Sequence, residues 1–266
     1  MNGDGIGKRG IRRLLLATIA VMLFGLIAAT AWYDHDIRTA RQQTPELVQA
    51  AFKRYGASLR PADLSPERKA MLLTIEDPTF LYHHGVDLAT PGAGMTTITQ
   101  GLVKQLYFPE GFRPGIAKIR QTLIAQYALD ALVSKDEQLR LFLNISYLGD
   151  VDGKAVHGFA DAAHTYFGKE FAALNDEEFL SLVAMLIGPN AFKPGSFAHT
   201  ERMQRIHAYL AGEIRPASLL DVEYNGKQSG SLAEEALMAL LRLTTDTNPH
   251  DSVHDNFPNQ RFSAAR

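Results

Sequence analysis

An uncharged apolar run from Leu14 to Tyr33 is the first feature in the pattern of apolar and polar positions. Four basic residues precede it: Lys8, Arg9, Arg12 and Arg13. A helix of about 20 apolar residues can cross a bilayer, and basic flanks stay on its cytoplasmic side. We therefore expect a cytoplasmic segment over 1–13 and a membrane anchor over 14–33, with the rest outside. A cleaved signal peptide ending near Ala29-Thr30-Ala31 and a buried core helix are the alternatives.

The pattern becomes mixed after the apolar run. Residues 34–64 are predicted to form a membrane-proximal linker with one short helix, which starts at Thr44-Pro45 and ends near Gly56. Ser65-Pro66-Glu67 is a helix start of the same kind. Pro78 stops that second helix, so Glu76 lies in its last turn.

Helical periodicity dominates the remaining chain. A long amphipathic helix is predicted from Pro114 to about Val133, and further helices near 96–106, 134–143, 158–167, 176–187, 200–213 and after Ser231. No convincing series of alternating strands is visible. We expect a mainly α fold, with a compact domain over 65–215. Residues 216–266 are predicted to form a C-terminal extension that is partly disordered, above all after Asp246.

Composition excludes several function classes. The net charge of −2 argues against a nucleic-acid partner. The chain has no cysteine, which excludes disulfides, thiolate catalysis and cysteine-bound zinc.

A group of polar and aromatic residues after the second helix predicts a site. Glu76 ends an apolar helix and is followed by an aromatic residue, a histidine pair and Gly85, and then by the hydroxyl-rich segment 96–100. Such a grouping is unusual for plain packing and indicates a polar cleft with a carboxylate available for proton transfer. A solvated glutamate at a helix end is the simpler alternative.

Several ordered motifs resemble the peptidoglycan glycosyltransferases, which occur alone or as the first module of class A penicillin-binding proteins. The matching segments are Glu76-Asp77-x-x-Phe80-x-x-His83-x-Gly85, Gly94 to Gln105, Ser134 to Glu137, Leu143-Asn144, Tyr147 to Gly149, Tyr166 to Lys169 and Leu182 to Pro194. The resemblance covers about 65–210. It implies a lysozyme-like α-helical domain at the outer face of the bacterial inner membrane, which polymerises glycan chains from lipid II. Its partners would be lipid II, the nascent glycan strand, the membrane and other proteins of wall synthesis.

The resemblance also assigns roles to residues. It implies that Glu76 is the general base, whose pKa the helix dipole should raise. Cations for the leaving diphosphate would come from Lys104 first, then Lys118 and Arg120; the alternative for the last two is a solvated basic face. The other candidate substrate-binding residues are Asp77, Phe80, His83, Thr97, Thr99, Gln100 and Asn144. Helix capping is the alternative for the threonines and Gln100, and a structural hydrogen bond for His83 and Asn144.

No cofactor is predicted with certainty. The adjacent histidines His83 and His84 are poorly placed to bind one metal ion. A divalent cation, Mg²⁺ or Mn²⁺, could assist departure of the diphosphate, but no acidic cluster of ligand spacing indicates where.

Three departures from the family pattern keep other functions open. Thr122 stands where the family has a second glutamate, the link between the first two motifs is only Val86 to Ala93, and Met95, Gly101 and Gln105 replace signature residues. A scaffold that binds lipid II or glycan without polymerising it is therefore one alternative. A lytic glycosidase on the related fold is another.

Overall fold

The computed structural model describes residues 8–113 and 115–245, and its helices confirm the predicted mainly α fold. The helices are α1 (Lys8–Tyr55), α2 (Pro66–Glu76), α3 (Ile98–Tyr107), α4 (Ile116–Ile124), α5 (Lys135–Ile145), α6 (Phe159–Phe167), α7 (Asp176–Met185), α8 (Phe197–Leu210) and α9 (Leu232–Thr244). Single 3₁₀ turns occupy Pro61–Asp63 and Phe171–Ala173. Strands β1 (Tyr147–Val151) and β2 (Lys154–His157) form a small hairpin.

Helix α1 runs without a break for 48 residues, so the predicted helix start at Thr44 is wrong. Pro45 lies inside the helix and removes one backbone donor. Tertiary contacts outweigh this loss. The Thr44 hydroxyl donates to the Ala40 carbonyl at 2.8 Å and lies 2.6 Å from the Tyr107 hydroxyl, and Ala40, Thr44 and Ala51 are buried. Gly56, at a φ of 92°, follows the helix end as predicted. The domain limits at 65 and 215 stay predictions.

The first part of α1 is apolar and carries exposed leucine, isoleucine and phenylalanine side chains. It is long and apolar enough to cross a membrane, with a mean hydropathy of 2.5 over its most apolar window, none of which is buried. A signal sequence would meet the same criteria of length and composition. Because α1 continues into the domain, the domain is joined to the candidate span by helix rather than by a flexible linker.

The core lies where α5, α6 and α7 meet. Phe159 packs against Phe171 and Phe179, with ring centroids 6.4 and 6.0 Å apart. Asn175 caps α7 and shares a reciprocal pair of hydrogen bonds with Glu178. This rigid base supports α2, which packs along α7.

The predicted long helix from Pro114 to Val133 is divided in the structure. Helix α4 begins at Ile116, and the wider π-helical turn Ala125–Asp130 continues from its end; Pro114 lies outside the described residues. Gly85 passes close to this turn, since a Cβ on it would lie 2.6 Å from the Ala125 carbonyl oxygen. The first motif is thereby packed against the π-helical turn.

The hairpin was not predicted. Asp152 and Gly153 join the strands with φ values of 52° and 75°. Asp-Gly is a favoured two-residue hairpin turn because both positions need positive φ. The strands are too short to show an alternating pattern.

Residues 216–245 pack onto the domain. Leu219, Asp221, Tyr224 and Leu241 are buried, and the Arg242 guanidinium donates to the Leu88 carbonyl at 2.8 Å. The segment predicted to be disordered from Asp246 lies outside the described residues.

Asn144→Ala should lower the free energy of unfolding by about 2–3 kcal/mol, because it leaves buried backbone groups without partners. The Asn144 amide accepts from the Leu59 N–H at 3.0 Å and donates to the carbonyls of Leu59 and Arg140, both at 2.7 Å. Denaturant unfolding measures the change. Thr200→Ala, which removes an exposed helix hydroxyl, is the control. A loss no larger than that of the control would contradict the role of Asn144 in holding the fold.

Candidate functional site

Glu76 is the last residue of α2 and is half-buried. Its carboxylate forms no hydrogen bond or ion pair with any described residue. Desolvation raises its pKa to about 7, an effect that the Arg202 charge opposes and the Asp77 charge increases. The predicted rise of the pKa is therefore present, and burial of the carboxylate is its largest cause. A carboxylate with this pKa and no protein partner can accept a proton near neutral pH.

The residue after Glu76 anchors the site. Asp77 is buried, accepts a hydrogen bond from the Ile98 N–H at 2.9 Å and lies 2.9 Å from Nε2 of His83. Phe80 is buried beside them, with the Lys135 ammonium 4.7 Å from its ring centroid. These contacts join the end of α2 to the start of α3. The three motif residues Asp77, Phe80 and His83 thus have structural partners within the protein.

The hydroxyl-rich segment forms the start of α3. Thr97 caps the helix, exchanges reciprocal hydrogen bonds with Gln100, and donates its hydroxyl to the Gly85 carbonyl at 2.7 Å. Thr99 donates to the side chain of Gln138 at 2.7 Å. All three site candidates, Thr97, Thr99 and Gln100, are buried. The contacts of Thr97 and Gln100 correspond to the capping alternative, whereas the Thr99 hydroxyl is bound to α5.

Two lysines provide positive charge near this helix start. The buried Lys118 ammonium donates to the Thr96 hydroxyl at 3.1 Å. Desolvation, together with the Lys104 charge, lowers the pKa of Lys118 to about 7. Lys104 is exposed as a residue, yet desolvation of its ammonium also lowers its pKa. Neither ammonium forms an ion pair with a carboxylate among the described residues, so both can take an anionic ligand.

Two further candidates lie in other contacts. The Arg120 guanidinium donates to Asp36 of α1 at 2.7 Å and lies 5.0 Å from the centroid of the Phe108 ring. Asn144 binds the backbone of Leu59, as described above. The structure therefore directs Arg120 toward α1 and Asn144 toward the chain before α2.

Thr122, which the resemblance places at the position of the family's second glutamate, is fully buried. Its hydroxyl donates to the Lys118 carbonyl at 2.8 Å and accepts from the Gln100 amide at 2.9 Å. The neighbouring Gln121 amide donates to the Gln100 carbonyl at 2.6 Å. Neutral side chains therefore fill this position and provide no second carboxylate.

Sequence reasoning missed Arg202, the group from outside the motifs whose charge acts on Glu76, and Tyr224, whose hydroxyl donates to the carbonyl of the preceding residue Ile75. Arg202 is 1% exposed. One signal for it was available, because Arg202 lies four residues before the buried Ile206 and so shares the inward face of α8. Nothing in the local pattern marks Tyr224, since its contact depends on the path of the chain after α8.

Residues 44–215, more than half of the chain, match the family model described as transglycosylase. The chain belongs to the transglycosylase family. By class, this transglycosylase is a peptidoglycan glycosyltransferase, an enzyme of cell-wall synthesis. The match begins within α1 and includes α2 to α8, so it contains Glu76, Lys104 and Lys118.

Curated relatives agree with the transglycosylase assignment. A protein of Cupriavidus necator, whose name gives it provisionally as a transglycosylase, is 27% identical over 84% of this chain and 98% of its own length. Penicillin-binding protein 1B of Buchnera aphidicola is 35% identical over 60% of this chain. Penicillin-binding protein 1A of Escherichia coli is 30% identical over 69%. The match to this chain covers only 23% and 24% of the length of those two penicillin-binding proteins.

No group of three or more histidine, aspartate or glutamate side chains suited to a metal ion occurs in residues 8–113 and 115–245. A divalent cation therefore has no ligand set here that fits it, and we assign it no step. Its involvement stays a prediction.

Glu76→Gln should stabilise the transglycosylase at alkaline pH. The raised pKa means that stability from the protonated carboxyl is fully present below pH 4.5 and is lost as the pH rises through about 7. The amide removes this loss, so the melting temperature at pH 8 should rise by at least about 2 °C, and the gain should vanish near pH 4.5. Scanning calorimetry measures it, with the exposed Glu67→Gln of the same helix as the control. An equal change in melting temperature at both pH values would contradict a desolvated Glu76 carboxylate with a raised pKa.

Proposed function

We propose that the protein polymerises glycan chains from lipid II, with Glu76 as the general base and Lys104 and Lys118 as cations for the leaving diphosphate. The observation that carries the proposal is the half-buried Glu76 carboxylate, which has a pKa of about 7 and no hydrogen-bond partner among the described residues. A carboxylate bound to a cation or a hydrogen-bond donor would stay ionised, and its oxygens would already be engaged. This one is free to take a proton from a bound sugar.

The proposed reaction is a single displacement at the anomeric carbon. An acceptor hydroxyl oxygen bonds to that carbon while the bond to the diphosphate oxygen breaks, and the configuration inverts. The hydroxyl proton passes to Glu76. The electron pair leaves with undecaprenyl diphosphate. At pH 7 roughly half of the Glu76 side chains are ionised, which suits a base that must also release its proton.

Diphosphate departure requires positive charge in a partly dry site. Lys118 is held by Thr96, two residues before Ile98, whose N–H binds the carboxylate next to Glu76. The cation and the base are thus attached to the same helix start. An arriving diphosphate would favour the charged form of Lys118 and raise its pKa from about 7. Lys104, whose charge acts on Lys118, would contribute the second cation.

We further propose that the protein is a single-pass protein of the bacterial inner membrane, with its catalytic domain on the outer face. The basic residues before Leu14 favour a cytoplasmic amino terminus. The unbroken α1 would hold the site at a set height above the bilayer, where a lipid-borne substrate lies. Other proteins of wall synthesis are the proposed partners.

A specific observation favours one alternative, a scaffold that binds lipid II without polymerising it. The position of the second family glutamate is occupied by Thr122, whose hydroxyl is engaged on both sides. If that carboxylate is indispensable, substrate would bind without reaction.

The first test uses the full chain in detergent with purified lipid II. Native protein and the control Glu67→Gln should form glycan polymer, and Glu76→Gln should be slower by at least about 100-fold, because general-base catalysis contributes this much or more. Gel electrophoresis of labelled product measures the rate.

The same assay separates the alternatives. Binding of lipid II with no polymer, where a control polymerase works, would establish the scaffold function. Release of fragments from purified sacculi would establish a lytic glycosidase. Either result would replace the proposed function.

Lys118→Met should lower kcat by at least about 10-fold, because one cation for the developing diphosphate charge is lost. KM should change less, since Lys104 still attracts the substrate. The exposed Lys154→Met in β2 is the control. Unchanged kcat in Lys118→Met would remove this residue from the proposed diphosphate site.

A further inference from the structure

Residues Pro216–Gly226, which we term the strap, begin just after the region that matches the family. The strap pairs with the short link between the two motifs. The N–H of Gly92 donates to the Ser218 carbonyl at 2.9 Å, and the N–H of Gly94 donates to the Leu219 carbonyl at 2.8 Å. A Cβ on Gly92 would lie 2.6 Å from Pro216 Cγ, so the two segments are in close contact.

The strap has its own internal support. Asp221 is buried, and its carboxylate accepts from the backbone N–H groups of Ala217 and Asn225, both at 2.9 Å, and from that of Gly226 at 3.1 Å. A carboxylate that binds several backbone N–H groups holds a loop in one conformation. The strap therefore has a defined surface toward the domain.

That surface holds Arg202 of α8. The Arg202 guanidinium donates to the Val222 carbonyl of the strap at 3.0 Å and to the Ala184 carbonyl of α7 at 2.9 Å. It lies 5.9 Å from the centroid of the Tyr224 ring. A fully buried guanidinium bound to two carbonyls has little freedom to move. Its charge is uncompensated by direct contact, because it forms no ion pair with any described carboxylate.

The strap also reaches the helix that carries the base. The Tyr224 hydroxyl donates to the Ile75 carbonyl at 3.2 Å, one residue before Glu76. Tyr224 is buried, stacks on Tyr209 with centroids 4.3 Å apart, and has a φ of 57°. A bulky residue at positive φ is costly and persists only where its surroundings hold it. One segment thus contacts both the end of α2 and the guanidinium nearby.

We propose that Arg202, held by the strap, is a positioning residue for Glu76, so that a segment outside the family match completes the site. The proposal rests on the proposed function of Glu76. Without a nearby cation, a desolvated carboxylate would stay protonated at neutral pH and could not act as a base. A direct ion pair would keep the Glu76 carboxylate ionised and would engage the oxygens that must accept the proton. A guanidinium nearby but not bonded to the carboxylate avoids both outcomes.

The charges that act on Glu76 come from two places. Arg202 on α8 favours the ionised form of Glu76, while Asp77 on the segment that follows Glu76 disfavours it. Tyr224 of the strap also lies close to Arg202, but burial raises its pKa further above neutrality, so it stays uncharged. The positive charge that acts on Glu76 therefore comes from Arg202.

The first experiment titrates Glu76 directly, in the full chain labelled with glutamate that carries ¹³C in its carboxyl group. The Glu76 signal is assigned by its loss in Glu76→Gln. Its midpoint should be near pH 7 in the native protein and rise by roughly one unit in Arg202→Gln. Arg202→Lys should restore much of the difference because it keeps the charge. A midpoint in Arg202→Gln equal to the native one would overturn the proposal.

The matched control is Arg205→Gln. Arg205 lies on the same helix and also donates to a strap carbonyl, that of Glu223 at 2.9 Å, but its guanidinium is paired with the Glu223 carboxylate at 3.7 Å. The control should leave the Glu76 midpoint unchanged. A shift equal to that of Arg202→Gln would show a general effect of loosening the strap and would overturn the specific role of Arg202.

A second measurement needs no change at Arg202 and so does not depend on folding of that variant. In protein with ¹⁵N-labelled arginine, the Arg202 Nε–H signal should shift with a midpoint near pH 7, and the shift should be absent in Glu76→Gln. In Asp221→Ala, which removes the carboxylate that orders the strap, the shift should shrink. A pH-independent Arg202 signal in the native protein would overturn the proposal. These titrations need no turnover. They would therefore still test the effect of Arg202 on Glu76 if the protein proved not to polymerise lipid II.

Discussion

Desolvation of one carboxylate at the end of α2 is the constraint on which the site depends. Water would hold Glu76 ionised at its ordinary pKa, where it would be a weak base. The packing of α2 on the domain excludes enough water to raise that pKa to about 7. Burial of this charge lowers the stability of the fold. The packing of the core, above all of α5, α6 and α7, offsets that loss. Base strength and stability are therefore opposed at this position.

The surrounding motif residues make this arrangement possible mainly by holding backbone in place. Asp77 joins the end of α2 to the N–H of Ile98, and Thr97 joins the start of α3 to Gly85. Lys118 then reaches the same helix start through Thr96. The signature of the family thus corresponds in large part to a hydrogen-bonded frame. Glu76 and the two lysines, Lys104 and Lys118, form no ion pair with any described residue.

Sequence alone predicted the α-helical class, the end of α2 at Glu76 and the starts of α5, α7 and α9, because each depends on local propensity and short-range hydrogen bonds. It failed at Pro45, where the burial of Thr44 against Tyr107 outweighs the local cost of proline. The strap was equally hidden. Its contacts with the short link and with α2 join residues more than 100 positions apart, and the spacing of apolar residues along the chain does not indicate such a pairing.

The pH dependence of polymerisation by the native protein tests the account most directly. If a desolvated Glu76 must be ionised to accept the proton, kcat/KM for lipid II should fall as the pH drops below about 7, because kcat/KM reports the pKa of the free protein. An acid limb near the ordinary glutamate pKa of 4.5, or a rate that does not vary between pH 5 and 8, would contradict the account.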